Sequence, residues 1–242
     1  MQNEVKQYYG TELKTSVDLK TNACCTLTPP PLYIRNALSQ IHDEVLAKYY
    51  GCGLTIPSAL EGLTVLDLGS GSGRDCYLLS QLVGQSGCVV GVDMTEEQLE
   101  VASKHLAFHQ QKFGYQKSNV QFIKGDIENL NECLPKGLKF DLVVSNCVLN
   151  LVSNKKKVLS DVFSLLSDGG EFYFSDVYAD RRVPDTLKRD PVLWSECLSG
   201  ALYWNDFLSL AKGSGFIDPR VVESKEITVN NDELKEKLGK IR

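Results

Sequence analysis

The amino-acid order predicts a doubly wound α/β fold, with a mostly parallel sheet covered by helices on both faces. Three observations predict it. Short apolar runs alternate with stretches of helical periodicity through the middle of the chain. Each run is nearly continuously apolar, as burial on both faces requires. The first run leads into a glycine-rich turn, Asp67-Leu68-Gly69-Ser70-Gly71-Ser72-Gly73, at the carboxyl end of a strand, where open α/β sheets bind ligands.

Taken in order, the first 30 residues are mixed and polar and end in Pro29-Pro30-Pro31, which forbids a helix through them. From Leu32 to Tyr50, apolar residues recur at helical spacing (Ile34, Leu38, Ile41, Val45), so an amphipathic helix is expected ahead of the core. Strands are expected at Thr64 to Leu68, Cys88 to Asp93, Asn119 to Ile123, Phe140 to Ser145 and Glu171 to Asp176. Helices are expected near 74–84, 95–113 and 154–166. Residues 178–204, with Pro184, Pro191 and both tryptophans, read as an inserted cap, followed by a helix at 204–212 and an isolated strand at 220–229. The expected organisation is an N-terminal segment (1–55), a central α/β domain (56–177) and a cap with the end of the sheet (178–242).

Composition narrows the function. The chain has 242 residues, 43% of them apolar, enough for one large core with a small cap. Its formal charge is -5 and no basic stripe is visible, which argues against a nucleic-acid partner. The cluster Lys155-Lys156-Lys157 reads as a solvated helix start. No apolar run approaches a membrane span, and the N-terminus has no secretory apolar region, so the expected location is cytoplasmic. Eight cysteines, at 24, 25, 52, 76, 88, 133, 147 and 197, are scattered without a C-x-x-C pair. In a reducing compartment such residues are buried thiols, metal or metalloid ligands, or redox groups. His105 and His109 share a helix face, but no ligand motif accompanies them, so they and His42 read as helix surface.

The glycine turn lacks the sixth-position glycine of a dinucleotide fingerprint, because Arg74 stands there. Two more acids end strands: Asp93, able to accept from a ribose, and Asp126 in Gly125-Asp126-Ile127. Each alone could be a turn or N-cap residue. Together with the glycine loop they resemble the class I methyltransferases that use S-adenosyl-L-methionine. That resemblance implies a cofactor pocket containing Tyr50, Asp67, Gly69, Ser70, Gly71, Gly73, Arg74, Asp93, Met94, Asp126, Ile127 and Asn146.

Cys147, in Ser145-Asn146-Cys147-Val148-Leu149-Asn150, follows the fourth strand, where the pocket would face the transferable methyl group. A thiol there suits a soft acceptor such as trivalent arsenic. The settings Tyr49-Tyr50-Gly51-Cys52-Gly53, Trp194-Ser195-Glu196-Cys197-Leu198-Ser199-Gly200, Asn22-Ala23-Cys24-Cys25, Tyr8-Tyr9-Gly10 and Phe172-Tyr173-Phe174-Ser175-Asp176-Val177-Tyr178 resemble the arsenite methyltransferases from about residue 5 onward. The resemblance implies that Cys147 and Cys197 bind arsenic(III), that Cys52 is a third ligand that becomes oxidised, and that Cys24 is its disulfide partner, with Cys25 the alternative. It implies arsenite or its thiol conjugates as substrate and glutathione or a thioredoxin-type reductant as partner. Two other readings stay open: a methyltransferase for another small acceptor such as a quinone precursor, and a thiol-rich module that binds a metalloid without turnover. In the resembled family a further strand and domain follow Arg242. The chain is therefore expected to be a short form with a six-stranded sheet and an irregular edge, and with 232–238 helical.

Overall fold

The computed structural model describes residues 2–13, 18–19, 29–227, and 232, 233, 236 and 239. Five parallel strands form the sheet: β1 (Thr64–Leu68), β2 (Cys88–Asp93), β3 (Val120–Lys124), β4 (Phe140–Asn146) and β5 (Leu166–Ser175), in the order β3-β2-β1-β4-β5. Strand order reverses between β1 and β4, and a crevice opens there at the carboxyl ends. Successive residues of β1 face opposite layers. Val65 packs with Tyr77, Leu78 and Val83, whereas Leu66 and Leu68 pack with Val158 and Val162. All of these are essentially inaccessible, and burial of each Val or Leu side chain contributes about 1.5–3 kcal/mol.

One layer holds α2 (Leu32–Leu38), α3 (Asp43–Ala47), α4 (Arg74–Val83), α5 (Glu96–Lys104) and α6 (Leu106–Lys112). The other holds α7 (Leu130–Cys133) and α8 (Lys155–Leu165). The helix expected over 32–50 is therefore two pieces, because His42 starts α3 anew: its ring Nδ1 accepts from the Glu44 N–H at 3.1 Å. The helix expected over 95–113 is likewise interrupted at His105. Beyond β5 lie β6 (Tyr178–Ala179), α9 (Pro191–Ser195), β7 (Leu202–Tyr203) and α10 (Trp204–Gly213), with β6 and β7 paired as a separate two-stranded sheet.

Two further expectations are corrected. Residues 220–227 form no strand and Val221 and Val222 are exposed, so the described sheet has five strands and not six. Residues 228–229 and most of 232–238 lie outside the described residues. Of the three histidines expected on a helix surface, two are covered and His42 is half-buried. His105 is 6% and His109 1% exposed, because the α2–α3 segment packs over that face. His109 is fully paired: Nδ1 lies 2.8 Å from the His105 carbonyl, Nε2 accepts from the His42 N–H at 3.2 Å, and its ring stacks on Tyr77 at 3.6 Å.

Burial pushes the His109 pKa down to about 4. The unfolded chain takes up this proton near pH 6.5 and the folded chain does not, so stability is intact above that pH and falls as pH drops toward about 4. Between pH 7 and 5 this group should remove about 2 kcal/mol, read as a lower urea midpoint. His109→Phe should lose that component; an identical pH profile in the variant would show that His109 does not carry it.

Candidate active site

The crevice between β1 and β4 is built first by the glycine loop. Gly69 (φ 70°) and Gly71 (φ 52°) hold left-handed backbone conformations that favour glycine, and they carry the chain sharply from β1 toward α4. Asp93, at the end of β2, fixes this loop from the side. One carboxylate oxygen accepts from the Gly71 N–H and the other from the Thr95 N–H, both at 2.8 Å. Burial pushes the Asp93 carboxyl up, and these N–H groups hold it back. Asp67 is 3% exposed; burial and then neighbouring Asp75 push its carboxyl up to about 8, and the Cys76 thiol donates to it at 3.2 Å.

Of the residues expected around the cofactor, Tyr50, Asp67, Gly69, Ser70, Gly71, Arg74, Asp93, Met94, Asp126, Ile127 and Asn146 all line this one crevice. Gly73 does not. It caps α4 in the left-handed conformation (φ 86°), and an added Cβ would strike Phe122 at 2.6 Å, so backbone and packing both require glycine. Asp126 faces the crevice and also caps the turn Ile127–Asn129 through the Glu128 N–H at 2.9 Å. Arg74 lies 3.7 Å over the Tyr49 ring and pairs with Asp75 at 2.7 Å. Ser70 Oγ is buried without a protein hydrogen-bond partner, a polar group left for a ligand.

Asn146 joins this crevice to the thiols. Its side-chain oxygen accepts from the Cys52 and Gly53 N–H groups at 3.0 and 3.2 Å, and its amide nitrogen contacts Tyr49, Gly53 and Asp75. The glycines beside Cys52 are required by this close approach. A Cβ on Gly51 would strike Tyr49 Oη at 2.2 Å, and one on Gly53 would strike Ser175 Oγ at 2.2 Å.

Cys52 is disulfide-bonded to Cys147, with Cα atoms 5.8 Å apart. The pairing implied by resemblance was with Cys24, which lies outside the described residues, as does Cys25. Cys197 is fully buried, and its thiol donates to the Cys147 carbonyl at 3.1 Å. One ligand atom each from Cys147, Cys197 and Asp176 falls within 4.8 Å of the others. Among the described residues, Cys147 (φ 59°) and Cys197 (φ 63°) are the two non-glycine residues in left-handed conformation. Such backbone costs of order 1–3 kcal/mol each and persists only where the surroundings enforce it. At Cys197 they do. Asn150 Nδ2 donates to its carbonyl at 3.1 Å, and Gly200 lets the chain pass so close that a Cβ there would lie 1.9 Å from the Asn150 carbonyl oxygen. The other cysteines are apart: Cys76 is buried beside Asp67, Cys88 is exposed and Cys133 packs at Gly125.

Several roles have no signal in the sequence pattern, although Tyr8, Tyr9, Asp176 and Trp194 stand within the settings that carry the resemblance. Burial pushes the Asp176 carboxyl up to about 7; it accepts from the Asn150 and Val177 N–H groups, both at 2.9 Å. Lys155, expected to be solvated, turns inward. Its ammonium donates to the Val152 carbonyl at 3.0 Å and lies 5.4 Å from the Trp194 ring. The N-terminal helix α1 (Gln2–Gln7) and the turn Tyr8–Glu12 strap the two sites together. Gln2 donates to Asp126 and Glu128, and Gln98 holds the Tyr9 carbonyl. Tyr8 donates to buried Glu196 at 2.6 Å, and Tyr9 donates to the Ser195 carbonyl at 2.8 Å.

Tyr8→Phe removes one hydroxyl from a buried carboxylate, a loss of about 1–3 kcal/mol, and should loosen the loop that carries Cys197. Hydrogen exchange across 195–200, together with the fluorescence of neighbouring Trp194, should change more than exchange across the glycine loop 69–73. Equal changes in both segments would mean that the strap does not position this loop.

A doubly wound sheet with an acid-flanked glycine loop at its switch point defines a class I S-adenosylmethionine-dependent methyltransferase. The comparisons agree: residues 59–215 match the methyltransferase-domain family. The chain is 55% identical to an arsenite methyltransferase of Aquipseudomonas alcaligenes over all of its own length and 69% of the relative's. It is 54% identical to that of Mus musculus over 99% of this chain and 64% of the relative. The crystal structure of an arsenic(III) S-adenosylmethionine methyltransferase from Chlamydomonas reinhardtii superposes with a TM-score of 0.82. Its identity is 51%, over 88% of this chain and 71% of that one. The chain belongs to the arsenite methyltransferase family and spans about two thirds of the length of these relatives.

Proposed function

We propose that this chain transfers methyl groups from S-adenosyl-L-methionine to trivalent arsenic held by Cys147 and Cys197, with Cys52 as a third thiol and Cys24 as its redox partner. The observation that carries this reading is the convergence of three cysteine sulfurs, the Cys52–Cys147 disulfide and the Cys197 thiol, beside the crevice, which Cys147 itself lines. Thiolates are soft ligands suited to arsenic(III), and a quinone-type acceptor gives no reason for them. The family relationship supports the same substrate.

The roles follow from the chain's own groups. Asp93 ends β2 at the crevice, where its carboxylate, already anchored by the Gly71 and Thr95 N–H groups, can accept from ribose hydroxyls. The cofactor supplies an electrophilic sulfonium methyl. Arsenic on thiolates keeps its own lone pair, so the residues around it need to position it and not to remove a proton from it. With the cofactor bound, its methyl carbon–sulfur bond would break as the carbon–arsenic bond forms, and S-adenosylhomocysteine would leave. The arsenic is thereby formally oxidised by two electrons, and two thiols return them as a disulfide. Glutathione or a thioredoxin-type dithiol resets that disulfide, and it would equally open Cys52–Cys147 before arsenic binds. We assign the cofactor to residues 56–177, arsenic to 178–242 together with Cys147 at the end of β4 and the cysteines of 1–55, and the cytoplasm as location. No described helix is long and apolar enough to cross a membrane.

The test is incubation with methyl-labelled cofactor, arsenite and glutathione, followed by arsenic speciation. Labelled methylarsenicals are expected. Arsenite binding without label transfer would instead identify a non-catalytic metalloid-binding module.

A further inference from the structure

A second group of metal-binding side chains lies outside the crevice. His42 caps α3, Glu44 sits in the first turn of that helix, and His105 stands between α5 and α6. A ring nitrogen of each histidine and a carboxylate oxygen of Glu44 all lie within 4.8 Å of one another. The donors are gathered before any ligand arrives, and His42 Nδ1, which accepts from the Glu44 N–H, would exchange that contact for the ion. The two imidazoles stack at 3.8 Å, Phe108 packs edge-on against His42 at 5.1 Å, and His105 Nε2 lies 2.7 Å from Glu44 Oε2. The His42 backbone is itself anchored by its N–H to His109 Nε2.

We propose that His42, Glu44 and His105 form a binding site for a divalent cation of the zinc class. Two imidazoles and one carboxylate are the donor set of such ions, whereas calcium and magnesium prefer oxygen alone. Three protein ligands leave further positions to water, which matches the site's partial exposure. Among the described side chains the competitor is Lys104, whose ammonium rests on the same Glu44 oxygen at 2.8 Å. That side chain is 63% exposed and free to swing into solvent.

The position gives the ion something to do. The Val45 carbonyl in α3 accepts from Ser72 Oγ of the glycine loop at 2.9 Å, and the same segment runs on to Tyr50 and Cys52. An ion shared by α3 and the α5–α6 junction would staple this support beneath the cofactor loop. The site shares no residue with the thiol cluster, so its failure would leave the methyl-transfer reading untouched.

The chain has three histidines, so their imidazole nitrogens can be followed individually by nitrogen-15 correlation spectroscopy during titration of the fully reduced protein with zinc sulfate. Saturable shifts on His42 and His105, with a raised unfolding midpoint, are expected. Glu44→Gln should weaken binding by about tenfold or more, and Lys104→Met, which removes the competitor, should tighten it. In a parallel cobalt titration, bands from nitrogen and oxygen ligands should persist when the thiols are occupied by a trivalent arsenical. Imidazole signals unmoved at millimolar zinc, equal affinities in all three proteins, or a cobalt spectrum made only of sulfur-to-metal transitions would each overturn the proposal.

Discussion

The Cys147→Ser variant is expected to produce no methylated arsenic above background while keeping its affinity for S-adenosylmethionine within about 0.5 kcal/mol of the parent, because the glycine loop, Asp93 and Asp126 are untouched. Serine occupies nearly the same volume and tolerates the φ of 59° no worse than cysteine, so the fold carries no added strain. What changes is the ligand: a hydroxyl is hard and protonated where a thiolate is soft and anionic. The same substitution removes the bond to Cys52, so the variant also tests whether that bond holds the 49–53 loop. Asn146 grips this loop independently through two N–H groups, so its position should survive. Speciation of arsenic after incubation, together with calorimetry of cofactor binding, reads both halves. Residual first-step methylation would demote Cys147 from ligand to neighbour.

Asp93→Ala should weaken S-adenosylmethionine binding by about 2–4 kcal/mol, or roughly 30- to 1,000-fold, since charge-assisted hydrogen bonds are the strong ones. The structure adds a second reason for a large effect. Without the carboxylate, the Gly71 and Thr95 N–H groups lose their acceptors and the glycine loop loses its lateral support. Asp93→Asn keeps one acceptor oxygen and should fall between the two. Calorimetric titration of the three proteins decides the matter: an alanine variant with parental affinity would remove Asp93 from the site.

Much of this arrangement was legible in the residues themselves. The strands β1 and β2 stand where their apolar runs begin and end, since local pattern and global burial ask for the same thing there. The acids at 67, 93 and 126 converge because a parallel sheet brings every strand's carboxyl end to one side. The breaks at His42 and His105 were not legible: no glycine or proline marks them, and each depends on what the other segment packs against. Lys155 was misread because a run of three lysines carries no information about which one turns inward. The left-handed backbone at Cys147 and Cys197 is equally invisible, being imposed by Asn150, Ser175 and Gly200 across the fold. Residues 220–227 have strand-like composition, yet no described strand forms there.

The N-terminal strap also sets a schedule for the chain's birth. Tyr8 and its partner Glu196 are 188 residues apart. A ribosome working at about 5–20 residues per second takes roughly 10 to 40 seconds to cover that interval. Throughout it Tyr8 has no Glu196 to reach. Val5 and Tyr8, among the most deeply buried side chains of the mature strap, emerge early and must wait in solvent or on a chaperone. The β1–β4 framework can be complete well before then, because its pairings close over shorter distances. The loop that carries Cys197 thus takes its final place late, after the β1–β4 frame beneath it already stands.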